Sequence, residues 1–264
     1  MWLTEDEKKL TTEYLKNGYC IKKINNLNIL DKIIDIFVDL AEEITGKKCI
    51  ISKSDYLNNI HNIIEVENLN DVRMKIINGI NNYSKFREYY YMLAKPLLET
   101  IVGNELAMQR RINLSIQMPN DDSSLLQVHA DTWSGDSPFE AVVWLPIVDC
   151  YGTKTMYLLP PNKLKIIDKI FSNKNNNDSE KIFQAIRDDV IWLNIKCGEV
   201  LIFNQSLPHG NRINNENETR WSMNCRFKGI FTPYSDKKIG EFFEPVTLRA
   251  ASKIGMNYKA PILK

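Results

Sequence analysis

The chain has 264 residues, and its 34 Lys and Arg nearly balance 33 Asp and Glu, for a formal charge of +1. That balance supplies no bulk attraction to polyphosphate and argues against a nucleic-acid partner. The longest apolar run, Ala141 to Val148, is interrupted by Pro146, the opening MWLTEDEKKL lacks an apolar signal core, and five scattered cysteines without a CxxC pair fit a reduced, cytoplasmic chain with no membrane span.

The first hundred residues read mostly as helix. Thr4 and Glu7 form a capping-box pair ahead of a helix that closes near Gly18, and a short strand follows at Tyr19 to Ile24. From Ile29 to Thr45 the residues Leu30, Ile33, Phe37, Leu40 and Ile44 recur at helical steps, with Gly46 as the stop signal. A second helical region is expected from Leu69 to Val102, broken between Gly79 and Ser84 and bent at Pro96. These stripes are read as core packing.

After Gly103 the texture changes to short β-like runs: Ala107 to Met118, Leu125 to Ala130, Phe139 to Val148, Lys154 to Leu159, Val190 to Ile195, Glu199 to Asn204 and Thr219 to Phe231. Turn signals separate them, among them Pro160-Pro161-Asn162 and Pro208-His209-Gly210. A helical insertion at about 162–189 is interrupted by the polar stretch Ser172 to Ser179, read as an exposed loop. Many short strands with one helical insertion predict an antiparallel sandwich or barrel. The expected organisation is a helical region, 1–103, packed on a β core, 104–264, as one compact domain.

Only three histidines occur in the chain, and two sit where they could bind metal. His129 and Asp131 are two residues apart, so on an extended segment both side chains point to one side. His209 follows the expected strand Glu199 to Asn204. Two imidazoles and one carboxylate on one face of an octahedral ion leave three positions open, the arrangement of non-haem Fe(II) oxygenases. An HxD tripeptide alone is a weak signal, because histidine is more often an ordinary hydrogen-bonding residue. The run Thr219 to Phe227 adds weight. It alternates strictly, with Trp221, Met223, Cys225 and Phe227 on one face and Arg220, Ser222, Asn224 and Arg226 on the other. Guanidinium groups suit planar carboxylates. Taken by itself, though, the strand reads best as an edge strand whose polar face looks at solvent.

Together, HxD at 129–131, a distal His209 and Arg-x-Ser at 220–222 resemble the Fe(II)/2-oxoglutarate-dependent dioxygenase superfamily. The extended wording, QVHADTWSGDSPFEAVVWLPIVDCYGTKTMYLLPP from Gln127 to Pro161 and the stretch from Gly198 through Tyr234, is similar to a phytanoyl-CoA-dioxygenase-like branch, the StrG-like oxygenases of bacterial carbohydrate gene clusters. The likeness covers about half of the chain, from Asn113 to Thr247. It implies a double-stranded β-helix, or jelly roll, with flanking helices. It further implies His129, Asp131 and His209 as Fe(II) ligands, Arg220 as the anchor of the distal carboxylate of 2-oxoglutarate, and Ser222 beside it. Dioxygen and 2-oxoglutarate would be consumed in hydroxylating or otherwise oxidising a carbohydrate-linked small molecule, such as a nucleotide sugar, in surface-polysaccharide or secondary-metabolite biosynthesis. Retention of Asp131 disfavours halogenation, because halogenating relatives carry a small residue there.

Arg226 lies on the same strand face and competes with Arg220 as the anchor, or holds an anionic substrate. Gln117 is a candidate donor to 2-oxoglutarate, and Gln127, Trp133 and Asp136 are candidates for the substrate mouth. In each case an ordinary hydrogen bond or loop contact is the plain alternative. Cys225 reads as core, Tyr157 faces either way, and His61 reads as a surface or capping residue. A monomer or homodimer is expected. The alternative from another class is a non-redox, cupin-like sugar-binding protein or an epimerase, the latter working through a His–Asp dyad and a tyrosine.

Overall fold

A computed structural model describes residues 2–172 and 178–261; most of the polar stretch read as an exposed loop, 173–177, lies outside them. The capping box forms at helix α1 (Glu5–Asn17), where the Thr4 amide donates to the Glu7 carboxylate at 2.8 Å and Thr4 Oγ1 accepts from the Glu7 amide. Gly18 ends the helix with φ of 77°, a left-handed conformation that costs glycine little. Strand β1 (Tyr19–Lys23) leads to helix α2 (Leu27–Thr45). On α2 the buried residues are Leu30, Ile33, Phe37, Val38 and Ala41, whereas Leu40 and Ile44 are half-buried, so the stripe is rotated from the one expected. Leu40 instead covers Gly79, where a Cβ would lie 2.6 Å from a Leu40 methyl.

Helices α3 (Lys53–Asn58), α4 (Leu69–Asn82) and α5 (Phe86–Ile101) complete this layer. Gly79 stays helical, and the break falls at Tyr83, which is extended. Among the described residues no helix is long and apolar enough to cross a membrane.

The expected run Ala107 to Met118 is two strands, β2 (Leu106–Gln109) and β3 (Asn113–Gln117). It divides where Arg110 and Arg111 turn to solvent and the Ile112 amide is captured by Asn81 Oδ1 at 2.8 Å. Then follow β4 (Glu140–Pro146), β5 (Tyr157–Leu158), helices α6 (Lys165–Ser172) and α7 (Ser179–Ile186), β6 (Ile191–Trp192), β7 (Glu199–Asn204), β8 (His209–Gly210), β9 (Arg220–Gly229), β10 (Phe243–Pro245) and the short helix α8 (Ala250–Met256). The larger sheet has the order β1-β7-β4-β9-β2-β10, with β3 also paired to β9; the smaller has the order β6-β5-β8, and all these strand pairs are antiparallel. The sandwich expected from the strand pattern is present.

Three expectations are corrected. The ten-residue β9 is central, flanked by β4 on one side and by β3 and β2 on the other, so its polar face looks into the molecule and not at solvent. The run Leu125 to Ala130 is not a regular strand. Its Leu126 amide goes to the Asn211 side chain, only His129 makes a β-bridge, and Asp131 opens a 3-10 turn. His209 and Gly210, read as a turn, are strand β8, paired with Leu158 and Tyr157. Strand β10 lies outside the expected β-like runs.

The opposite face of β9 joins the sheet to the helices. Trp221, Met223, Cys225 and Phe227 are fully buried there. Phe37 of α2 meets Phe86 of α5 and Trp221 edge-on, at centroid distances of 5.9 and 6.0 Å, and the Trp221 indole donates to the Leu57 carbonyl at 2.9 Å. Aromatic contacts of this kind add to the apolar area already buried.

Candidate metal centre and cosubstrate pocket

His129, Asp131 and His209 converge, each offering one ligand atom, and the three atoms lie within 4.8 Å of one another. His129 Nε2 is 3.5 Å from Asp131 Oδ1. Nδ1 of His129 donates to the Gln127 carbonyl and Nδ1 of His209 to the Leu207 carbonyl, both at 2.8 Å. Because a carbonyl only accepts, each neutral ring carries its proton on Nδ1 and leaves the Nε2 lone pair free, the tautomer a metal requires. Burial, reinforced by the neighbouring His129, pushes the His209 imidazole down to about 4. Burial opposes ionisation of Asp131, but His129 and the Arg226 guanidinium outweigh it and hold the carboxyl down at about 2. Two imidazole nitrogens and one carboxylate are a donor set suited to a divalent first-row ion.

The three residues line a cavity of about 290 Å³ between the sheets, together with Ser115, Arg220, Ser222, Asn224 and Arg226. Arg220 is buried within it. Its Nη1 donates to the Thr155 carbonyl at 3.0 Å and its Nη2 to Ser115 Oγ at 2.7 Å, while Nε has no partner. It makes no ion pair among the described residues, and burial pushes its guanidinium down to about 10. Ser222 Oγ and Thr155 Oγ1 are also buried without partners. A buried cation ringed by unmet hydrogen-bonding groups costs free energy until an anion satisfies it. The donor set fits a carboxylate.

No protein-family model matches the chain, and no curated protein matches it. Solved structures do. EctD from S. alaskensis with 2-oxoglutarate and 5-hydroxyectoine is 12% identical with a TM-score of 0.57, over 89% of this chain and 80% of that one. The non-heme alpha ketoglutarate dependent carbocyclase SnoK from nogalamycin biosynthesis is 12% identical with a TM-score of 0.55, over 93% of this chain and 97% of that one. The apo form of the non-heme monooxygenase ThoJ is 11% identical with a TM-score of 0.53, over 91% and 84%. The chain has the jelly-roll fold of the non-haem 2-oxoglutarate oxygenases.

Within that jelly roll the remaining candidates divide. Arg226 lines the cavity but is already engaged, with Nη2 2.9 Å from Asp131 Oδ2. Gln117 is fully buried outside the cavity lining; its Nε2 donates to the Arg212 carbonyl and its Oε1 accepts from Asn211. Gln127 is exposed and bonded to Ser179, and serves His129 through its backbone carbonyl. Asp136 is buried and ion-paired to Lys237 at 2.6 Å. Trp133 is 40% exposed and meets Phe171 edge-on at 4.9 Å, without lining the cavity. Tyr157 is buried against Phe183 and Trp192. Cys225 is core, its thiol pushed up to about 12 by burial, and His61 is half-buried and bonded to the Thr219 hydroxyl at 2.9 Å.

Ser115 lines the pocket and Thr155 holds Arg220 through its carbonyl, yet neither stands out in a motif. A signal for Ser115 exists: it is two residues from Gln117 on one strand, hence on the same face, and the register sets it opposite Ser222.

Proposed function

We propose that the protein is an Fe(II)- and 2-oxoglutarate-dependent oxygenase. The supporting observation is the pairing of one facial donor set, His129, Asp131 and His209, with one buried, carboxylate-free guanidinium, Arg220, in the same cavity. The three ligands would hold the iron. Arg220, Ser222 and Ser115 would receive the distal carboxylate of 2-oxoglutarate through charge-assisted hydrogen bonds. When bound, the iron and its cosubstrate supply oxidation of a substrate C–H bond by dioxygen, coupled to loss of carbon dioxide from 2-oxoglutarate. The chain's own contribution is orientation and a water-poor wall. Val142, Trp144, Met156 and Phe203 line the cavity around the polar groups.

The prime substrate in this proposal is a carbohydrate-linked small molecule. That part is supported by the likeness of the Gln127 to Pro161 and Gly198 to Tyr234 wording to oxygenases of carbohydrate gene clusters. An epimerase that works through a dyad and a tyrosine is less well supported, because no tyrosine is among the residues lining the cavity. Anaerobic reconstitution with Fe(II) tests the proposal. A weak visible absorption should appear on adding 2-oxoglutarate, and succinate should accumulate slowly in air. Folded protein that gives neither signal refutes it. A panel of nucleotide sugars, scored for faster succinate release, tests the substrate class.

A further inference from the structure

The guanidinium of Arg226 sits behind the carboxylate of the candidate metal centre, and every arm of it is occupied. Nη2 meets Asp131 Oδ2 at 2.9 Å, Nε donates to Gln205 Oε1 at 3.1 Å, and Nη1 donates to Gln109 Oε1 at 3.4 Å. Asp136, itself paired to Lys237, lies 3.9 Å from Nε. Gln205 is held in turn, its Nε2 donating to the Ser137 carbonyl and to Glu140 Oε2, both at 2.9 Å. The Gln205 carbonyl accepts the Asp131 amide at 3.0 Å. Asp131 is therefore gripped at its backbone and at one carboxylate oxygen by the same small network, while its other oxygen, Oδ1, faces His129 Nε2.

The asymmetry matters for coordination. A carboxylate can bind a metal through one oxygen or two. With one-oxygen binding, three of six octahedral positions stay open, enough for a bidentate cosubstrate and dioxygen; with two-oxygen binding, only two stay open. We propose that Arg226 is a positioning residue that ties up Asp131 Oδ2 and so keeps Asp131 a one-oxygen ligand, which reserves the third open position. The inference rests on the function proposed above. It also removes Arg226 from competition with Arg220, because a guanidinium committed to Asp131, Gln205 and Gln109 has no free edge for a second carboxylate.

Cobalt(II) titration of the full chain, followed by visible absorption, tests the idea without turnover. Arg226→Gln should weaken Co(II) binding about 10- to 100-fold, the usual effect of losing a partner of a ligating carboxylate. It should also alter the Co(II) absorption band, while the 2-oxoglutarate affinity of Co(II)-saturated protein changes by less than about threefold. Arg226→Lys, which keeps charge but loses the fork, should fall between. Gln205→Met, which releases only one arm, should shift the band in the same direction and serves if the arginine variants fold poorly. A wild-type band and affinity in folded Arg226→Gln overturns the inference, as does a loss of 2-oxoglutarate binding with the metal site intact. If the wild-type protein binds no Co(II), the function proposal fails, and the inference fails with it.

Discussion

His129 and His209 are cross-strand partners, each donating its backbone amide to the other's carbonyl, at 3.0 and 2.8 Å, with ring centroids 4.3 Å apart. Two candidate ligands far apart in sequence are thus set by one antiparallel bridge, a pair whose backbones exchange both hydrogen bonds and whose side chains stand on the same face. Asp131 is held beside this bridge by its amide bond to the Gln205 carbonyl, in the turn between β7 and β8. The spacing of the three donor atoms is a property of backbone pairing and not of long, adjustable side chains.

Gly210→Ala tests that dependence. A Cβ at Gly210 would lie 2.7 Å from the Leu126 carbonyl oxygen and 2.7 Å from the Tyr157 hydroxyl, so the 126–131 segment must move away from β8. Overpacking of this kind costs about 1–3 kcal/mol. The expected result is a lower melting temperature and a weaker Co(II) site, although residue 210 itself offers no ligand. Unchanged metal affinity would show that the His129–His209 spacing does not depend on this contact.

Arg220→Met separates binding from stability. Hydrogen bonds to a charged group are worth about 1.5–3 kcal/mol, so losing the proposed anchor should weaken 2-oxoglutarate binding roughly 10- to 150-fold. Removing an unpaired buried charge also relieves desolvation, which offsets the two bonds lost to Thr155 and Ser115. Without ligand, the melting temperature should therefore change little, and Co(II) affinity should hold. Isothermal titration of the Co(II) form with 2-oxoglutarate, alongside thermal melts, reads both quantities; equal affinity in the variant would reassign the anchor.

Residue type made the candidate metal triad legible. A facial site needs imidazole and carboxylate at chelating spacing, and His129, Asp131 and His209 provide it in a chain with three histidines. Strict alternation made the two faces of β9 legible in the same way. What the sequence hides is which face is inside, because that depends on β4 and β3 covering both edges of β9, a long-range fact that no local pattern carries. Two-residue strands such as β5 and β8 are too short to show a period of two, so His209 and Gly210 read as a turn. Arg226 illustrates the limit best. Its type and face match those of Arg220, and only the fold shows that Asp131 already occupies it.

Acid should destabilise the metal-free protein in two windows. The unfolded chain takes up a proton on His209 near its ordinary 6.5, whereas the folded chain refuses it until about 4. The unfolded state therefore holds more protons between these values, and stability falls as pH drops from about 6.5 to about 4, by at most roughly 3 kcal/mol. Asp131 has the same sign, with its carboxyl lowered from 3.8 to about 2, so its contribution is lost as pH falls through that lower window. Urea unfolding of wild type and His209→Asn across pH 4 to 7 checks the first window. The wild type should lose stability more steeply than the variant, and parallel profiles would contradict it.

Trp221 stands where the helical layer meets the sheet, with its ring against Phe37 and its indole nitrogen bonded to Leu57, directly between Arg220 and Ser222 on β9. If residues 1–103 and 104–264 fold as one unit, truncating this side chain should weaken the whole protein and not the helices alone. Trp221→Ala removes a fully buried aromatic, a change that costs about 3–5 kcal/mol. The expected fall in melting temperature is on the order of 10 °C. Far-ultraviolet dichroism follows mostly the helices, and bound Co(II) reports on the β core. In both wild type and variant the two signals should be lost together, in one transition. A variant whose helices melt first while the Co(II) band persists would show that the helical region is a separate folding unit, and that the floor under Arg220 stands without it.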